Sequence, residues 1–173
     1  RRDTGTVELD EEIEPSMHVG TIEEPSTVII AGFGRMGQRI ATLMREAGVS
    51  YVAIEQRPKL VAEGRRRGFS VYYGNAAQAD VLESAGVAEA KMMVVAVDNA
   101  DVVESLVKSV RRLYSELPIF ARGHSHSRCL KVVEAGATGV VSENLEASLQ
   151  LSRFALKAAG VDEEQVELML EDY

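Results

Sequence analysis

The chain holds 173 residues, 46% of them apolar, with a net charge of -8 and a single cysteine, Cys129. That is enough for one domain with a real core and too little for two, no window approaches the roughly 18 uninterrupted apolar residues of a membrane helix, and one cysteine excludes an internal disulfide framework and suits a reducing compartment. Residues 1 to 24 carry eight acids and two arginines, so the remainder is almost neutral, which argues against nucleic acid as a partner because a phosphate backbone demands a concentrated cationic face.

The opening "RRDTGTVELDEE" lacks the apolar core of a signal peptide and is not a transit peptide. It also begins without methionine, which reads as a piece of a longer protein, and the expected compartment is the cytoplasm. Residues 1–26, with Pro15, Pro25, scattered acids and few apolar side chains, read as an acidic linker or tail that cannot bury enough surface to offset its chain entropy.

From Thr27 the pattern becomes strand-sized apolar runs alternating with helical stretches. "TVIIA" (27–31) predicts a buried strand, and "RMGQRIATLMREAG" a helix with Met36, Ile40, Leu43, Met44 and Ala47 on one face and Gly48 as its stop. "SYVAIE" (50–55) is the next strand, followed by a helix that Pro58 opens and the solvated basic end "GRRRG" closes. "FSVYYG" (69–74), "KMMVVAVD" (91–98), "PIFARG" (118–123) and "TGVVSEN" (138–144) continue the strands, each separated by a helix. A helix over 145–159 and a helical tail complete the chain. Near-continuously apolar strands alternating with helices predict an α/β fold, a doubly wound, Rossmann-like six-stranded parallel sheet of order 3-2-1-4-5-6 over residues 27–144, with C-terminal helices at 145–173.

Gly32, Gly34 and Gly37 spell G-x-G-x-x-G after a predicted strand and at the start of a predicted helix, and Glu55 ends the second strand. Gly32 suits the tight turn, Gly34 lets the backbone approach a phosphate, and Gly37 lets helix and strand pack closely; the free amides of the helix start face the anion. Glu55 is placed to accept hydrogen bonds from ribose hydroxyls and to repel a 2'-phosphate, which favours NAD, AMP or ADP over NADP. Arg57 either accommodates an extra phosphate or lies on the surface. Arg35 is placed to cover phosphates or is an exposed first-turn arginine. "GNA" (74–76) sits where an adenine would lie, with Asn75 offering an amide. Val97, Asp98 and Asn99 occupy the carboxyl edge after the fourth strand, where Asn99 is either a ligand contact or the cap of the next helix.

Together, "VIIAGFGRMGQ", "YYGNAAQADVLESAG", "PIFARGHSHSRCLKVVEAGATGVV" and "ENLEASLQL" resemble the KTN domain, also called RCK, of Kef-type potassium-efflux antiporters and their plant KEA relatives, over residues 26 to 160. The resemblance implies a cytosolic Rossmann homodimer that binds AMP or NAD(H), with ADP and ATP as further candidates. It also implies that this domain gates a potassium/proton antiporter whose membrane part belongs to the same polypeptide, with an ancillary cytosolic regulator as a further partner. By the same resemblance, Gly32, Phe33, Gly34, Arg35 and Met36 line the phosphates, Glu55 the ribose, Asn75 and Ala76 the adenine, and Arg122 reaches the ligand or the dimer partner. The family often has Asp where this chain has Glu55 and Asn75. Gly123 and His124 replace the Ala-Arg of many Kef members, removing a cation near the peptide site of glutathione-gated members, so glutathione control is not implied.

His124, His126 and Cys129 form H-x-H-x-x-C but lack the fourth ligand of a structural zinc site, and no metal is expected. Cys129 has no triad to make it a nucleophile. The residues after the sixth strand are too few for the substrate pocket of a hydride-transfer enzyme, so a small NAD-dependent oxidoreductase is the alternative from another class. A gating domain of a potassium channel or Trk-type uptake system is the nearer alternative. The helix over 145–159 carries more apolar surface than one sheet face needs and is expected to cross to a second subunit.

Overall fold

In a computed structural model, residues 13–172 are described. Six strands, β1 (Val28–Ala31), β2 (Tyr51–Glu55), β3 (Val71–Tyr73), β4 (Met92–Val95), β5 (Ile119–Gly123) and β6 (Gly139–Ser142), form one sheet of order β3-β2-β1-β4-β5-β6. Every pairing is parallel, as the apolar runs predict. The helices are α1 (Arg35–Glu46), α2 (Pro58–Arg66), α3 (Ala79–Ser84), α4 (Ala100–Leu113), α5 (His126–Glu134), α6 (Glu143–Ala158) and α7 (Glu163–Leu170).

Because side chains alternate across a strand, the sheet has two unlike faces. Ile29, Met93, Val95, Ile119 and Ala121 pack with Leu82 of α3, Val103, Leu106, Val107 and Val110 of α4, and Val132 of α5. On the opposite face, Val28, Ile30, Ala53 and Val71 pack with Ala41 of α1 and Val61 of α2, sealed by Phe33 and Phe69 in edge-to-face contact at 5.3 Å. This second layer stops short. Register puts Val94 beside Phe120 and Arg122 beside Val141, and there Phe120 is 39% and Val141 51% exposed.

Two elements differ from the sequence reading. The last strand ends at Ser142, whose Oγ accepts the Leu145 amide at 3.3 Å, so Glu143 and Asn144, predicted in the strand, open α6 instead; a serine cap satisfies amides that a longer strand would leave to water. α6 buries none of its own side chains, leaving Leu151 and Phe154 exposed. α7 folds back on it through Val166 and the ion pairs Arg153–Glu167 and Lys157–Glu163, both at 3.0 Å.

The second difference lies ahead of β1. Residues 1–12 of the segment predicted as linker fall outside the described residues, but from Ile13 the chain is seated on the sheet. Two short 3-10 turns, Pro15–Met17 and Val19–Thr21, pass over the free edge of β3, with Val19 buried and His18 paired to Tyr73. Average composition concealed four apolar residues, Ile13, Met17, Val19 and Ile22, that this edge accommodates.

Candidate functional site

The glycine loop sits where strand order reverses, between β1 and β4, the switch point at which open α/β sheets bind ligands. Gly32 has φ +101° and donates its amide to the Ile54 carbonyl at 2.9 Å; a Cβ there would lie 2.9 Å from Val97 Cγ1. At Gly37 a Cβ would stand 2.1 Å from the Gly32 carbonyl oxygen, so helix α1 rests directly on the turn. Gly34 meets only Arg57 Nη2 at 3.4 Å and Asp98 Oδ2 at 3.5 Å. Its missing side chain leaves the loop open toward a cavity.

That cavity has a volume of about 600 Å³. Of the residues expected at the site, Gly32, Gly34, Glu55, Asn75, Ala76, Val97, Asp98 and Asn99 line it. Phe33 does not: its ring is buried in the α1/α2 layer, and it meets the site only through its backbone amide. Arg35 is exposed on the first turn of α1, Met36 packs against the same core as Phe33, and Gly37 serves the packing just described. None of these, nor Arg122, lines the cavity.

Glu55 is the buried acid of the described residues. Its Oε1 accepts the Phe33 amide at 3.0 Å and Arg57 Nη2 at 3.1 Å, and its Oε2 accepts the Arg57 amide at 2.8 Å. Burial pushes this carboxyl up, but the Arg57 side chain, the Arg57 and Phe33 amides and the Arg57 charge outweigh it, holding the carboxyl below its ordinary value of 4.5. The same hydrogen bond to Glu55 raises the guanidinium of Arg57 further. Glu55 is thus ionised and faces the cavity at the end of β2, with Arg57 as its neutralising partner.

The far wall comes from the loop after β3 and from α4. Asn75 Oδ1 accepts the Ala77 amide at 3.0 Å, shaping the Gly74–Gln78 turn. Asn99 is an N-cap: its Oδ1 accepts the amides of Asp101 at 3.0 Å and Val102 at 3.2 Å, while the residue still borders the cavity. Val102, Ser105 and Leu106 of α4 complete that wall. Sequence reading did not name them, although their i, i+3, i+4 spacing behind the switch-point strand puts them on one helix face. Gln56 was also missed; nothing in its sequence position distinguishes it.

Arg122 lies beside the cavity. Its side chain is 9% exposed, Nη1 donates to Asp98 Oδ1 at 2.8 Å and Nη2 to Glu143. His124 Nε2 meets the Asp98 carbonyl oxygen at 2.9 Å, and Asn144 Nδ2 donates to the His124 carbonyl at 2.9 Å. One guanidinium therefore joins a cavity residue to the first residue of α6.

A buried ionised acid opposite an open glycine turn can receive a ribose diol and a phosphate together once the Arg57 side chain yields the two places that its Nε and Nη2 hold on the carboxylate. Comparison with known proteins gives this geometry a lineage. The TrkA-N domain family matches residues 28–143. The chain is 34% identical over 139 residues to the glutathione-regulated potassium-efflux system protein KefC of Cronobacter sakazakii, covering 80% of this chain and 22% of that protein. It is 31% identical over 172 residues to the chloroplastic K(+) efflux antiporter 3 of Arabidopsis thaliana, covering 93% and 22%. The chain thus spans about a fifth of the length of these curated relatives. Among solved structures, the Kef CTD of Shewanella denitrificans in AMP-bound form superposes with a TM-score of 0.71 at 28% identity, over 83% of this chain and 87% of that one. In extent, fold and sequence, this chain belongs to the TrkA-N domain family.

Proposed function

We propose that this chain is the regulatory nucleotide-binding domain of a potassium-efflux antiporter, and that its ligand is AMP or NAD(H), with ADP and ATP as weaker candidates. The observation that carries the reading is the pairing of ionised Glu55 with the open turn at Gly34 across one cavity. The AMP-bound Kef relative supports an adenine nucleotide in a cavity of this kind. In this reading the phosphate meets the amides at the start of α1, the ribose diol meets Glu55, and the adenine lies between Asn75–Ala76 and α4. In this reading the ligand is a signal and is not turned over.

The domain works as a homodimer in this proposal. The face of β4–β6 left without a helical layer, at Phe120 and Val141, and the exposed apolar side chains Leu151 and Phe154 of α6 are complementary in kind, and an α6 from a second copy would supply the missing layer. The Arg122 bridge from Asp98 to Glu143 supports a route from cavity to α6. A ligand that favours one dimer arrangement then biases a membrane domain carried by the same polypeptide, by population shift. A nucleotide domain at 27–144 that carries residues 13–26 on its β3 edge, and dimer helices at 145–173, with the whole at the cytoplasmic face of a membrane, belong to the same proposal. No described helix is long and apolar enough to cross a membrane.

Isothermal titration of AMP, ADP, ATP, NAD, NADH and NADPH into the purified chain tests the reading. Saturable binding of AMP or NADH, weakened in Glu55→Gln, is expected. Absence of binding by all six reduces the glycine loop to a packing device.

A further inference from the structure

The segment ahead of β1 adds one parallel backbone pairing to the free edge of β3, at His18 and Tyr73, whose rings meet edge to face at 5.5 Å. It straddles the edge: Ile13 and Met17 pack on the α1/α2 side, Val19 and Ile22 on the α3/α4 side. The turn that carries Val19 is locked by Thr21 Oγ1, which donates to the carbonyls of His18 at 2.7 Å and Ser16 at 3.0 Å. Covering an unpaired edge is one purpose such a segment serves. Its position suggests a second.

Behind the Gly74–Asn75 loop lies a cavity of about 410 Å³, and His18, Val19 and Gly20 form one of its walls. Gly74, Asn75 and Gln56 border this space and the larger cavity alike, so the loop is a partition with ligand space on one side and the N-terminal segment on the other. The partition is tightly seated. A Cβ at Gly74 would find Val81 at 3.0 Å, Val19 Cγ1 at 3.4 Å and Ile54 at 3.5 Å, and the Gly74 amide is held by the Glu55 carbonyl at 3.0 Å. Val19 is the contact among these that comes from outside the nucleotide fold.

We propose that Val19 and its turn are positioning elements of the base subsite: seated against Gly74, they hold the Gly74–Ala76 loop in the shape that receives the adenine, so that nucleotide binding and seating of the N-terminal segment favour one another. The inference rests on the nucleotide reading above. Reciprocity is required by linkage: if the seated segment raises affinity for the nucleotide, the nucleotide strengthens the seating by the same factor. A segment leading out of the domain would then report the state of the cavity through its own docking.

The test uses the whole 173-residue chain carrying Val19→Asp, with Val19→Ile as the conservative control. AMP is titrated directly, and ribose 5-phosphate, which keeps the phosphate and ribose but lacks the base, is titrated as competitor. Expected is an AMP Kd raised about tenfold in Val19→Asp, the scale of one lost buried valine contact, with ribose 5-phosphate affinity unchanged and AMP affinity restored in Val19→Ile. In the unmodified chain, AMP should slow amide exchange across His18–Ile22. If Val19→Asp does not fold, Thr21→Val, which frees the turn without touching the core, carries the same expectation. AMP affinity within about twofold of the unmodified chain, or equal weakening of AMP and ribose 5-phosphate, overturns the inference while leaving the nucleotide reading intact. Failure of the unmodified chain to bind any nucleotide overturns both.

Discussion

Arg57 closes over Glu55 from its own backbone and its own side chain at once: its amide donates to Oε2 at 2.8 Å and its Nη2 to Oε1 at 3.1 Å. One residue thereby neutralises the acid and fixes the direction in which it faces the cavity. With the Phe33 amide on the same carboxylate, strand β2 and the glycine loop are joined at the point where a ribose would enter.

Replacing Glu55 by Gln keeps the size and loses the charge. A ribose diol then gives up charge-assisted hydrogen bonds worth roughly 1.5–3 kcal/mol, so AMP affinity is expected to fall about 10- to 100-fold. Isothermal titration reads this directly, and unchanged affinity would place the ribose elsewhere.

The same carboxyl predicts a pH dependence of stability. Its folded value lies below its ordinary one, so the folded state binds fewer protons than the unfolded state across the interval between them. Its stabilising contribution is complete above the ordinary value of 4.5 and is lost as pH falls through the lowered folded value. Arg57 is 58% exposed and solvent screens the pair, so about 1 kcal/mol or less is expected from the ion pair itself. Urea unfolding from pH 7 to pH 3 should show a shallower acid loss in Glu55→Gln than in the unmodified chain.

The two glycines inside the loop should separate folding from binding. Gly37→Ala drives a methyl to 2.1 Å from the Gly32 carbonyl and is expected to cost about 3 kcal/mol or more, seen as a lowered Tm. Gly34→Ala meets its neighbours at 3.4 Å and 3.5 Å, so Tm should hold within a few degrees while nucleotide affinity drops. The reverse pattern would mean that phosphate does not approach at Gly34.

If α6 of a second copy covers the open half of the sheet, a charge on either surface should separate the subunits. Phe154→Glu on α6 and Phe120→Asp on β5 are each expected to give a monomer by light scattering at concentrations where the unmodified chain is a dimer, with little change in secondary structure. A monomeric unmodified chain would refute the arrangement.

The sheet was legible because parallel strands covered on both sides are written as apolar runs, as β1 and β2 are, and β4 is an apolar run as well although its Met92 and Val94 are only half-buried. Strand order followed from the handedness of crossovers. Glu55 was legible for a similar reason, since an acid ending the second strand after a glycine turn has one obvious direction to face. Phe33 was not: its place between two glycines marks it for the loop, whereas only tertiary packing reveals that its ring seals against Phe69. Nor was Val19 legible, because a few apolar residues scattered through a short polar segment acquire meaning only beside a strand edge that folding creates. The role of Asn99 as cap, left open by sequence, was decided by two amides that had to be satisfied.

The three glycines of the loop also carry a lesson for recognising such sites. Gly32 is demanded by a backbone angle and Gly37 by a carbonyl pressed against its α-carbon, and both demands persist with no ligand at all. Gly34 alone is free of them. A sequence search that weighs the three equally therefore counts the integrity of the turn twice and occupancy once. Related chains that have lost the ligand but kept the fold should reveal themselves by a side chain at the middle position.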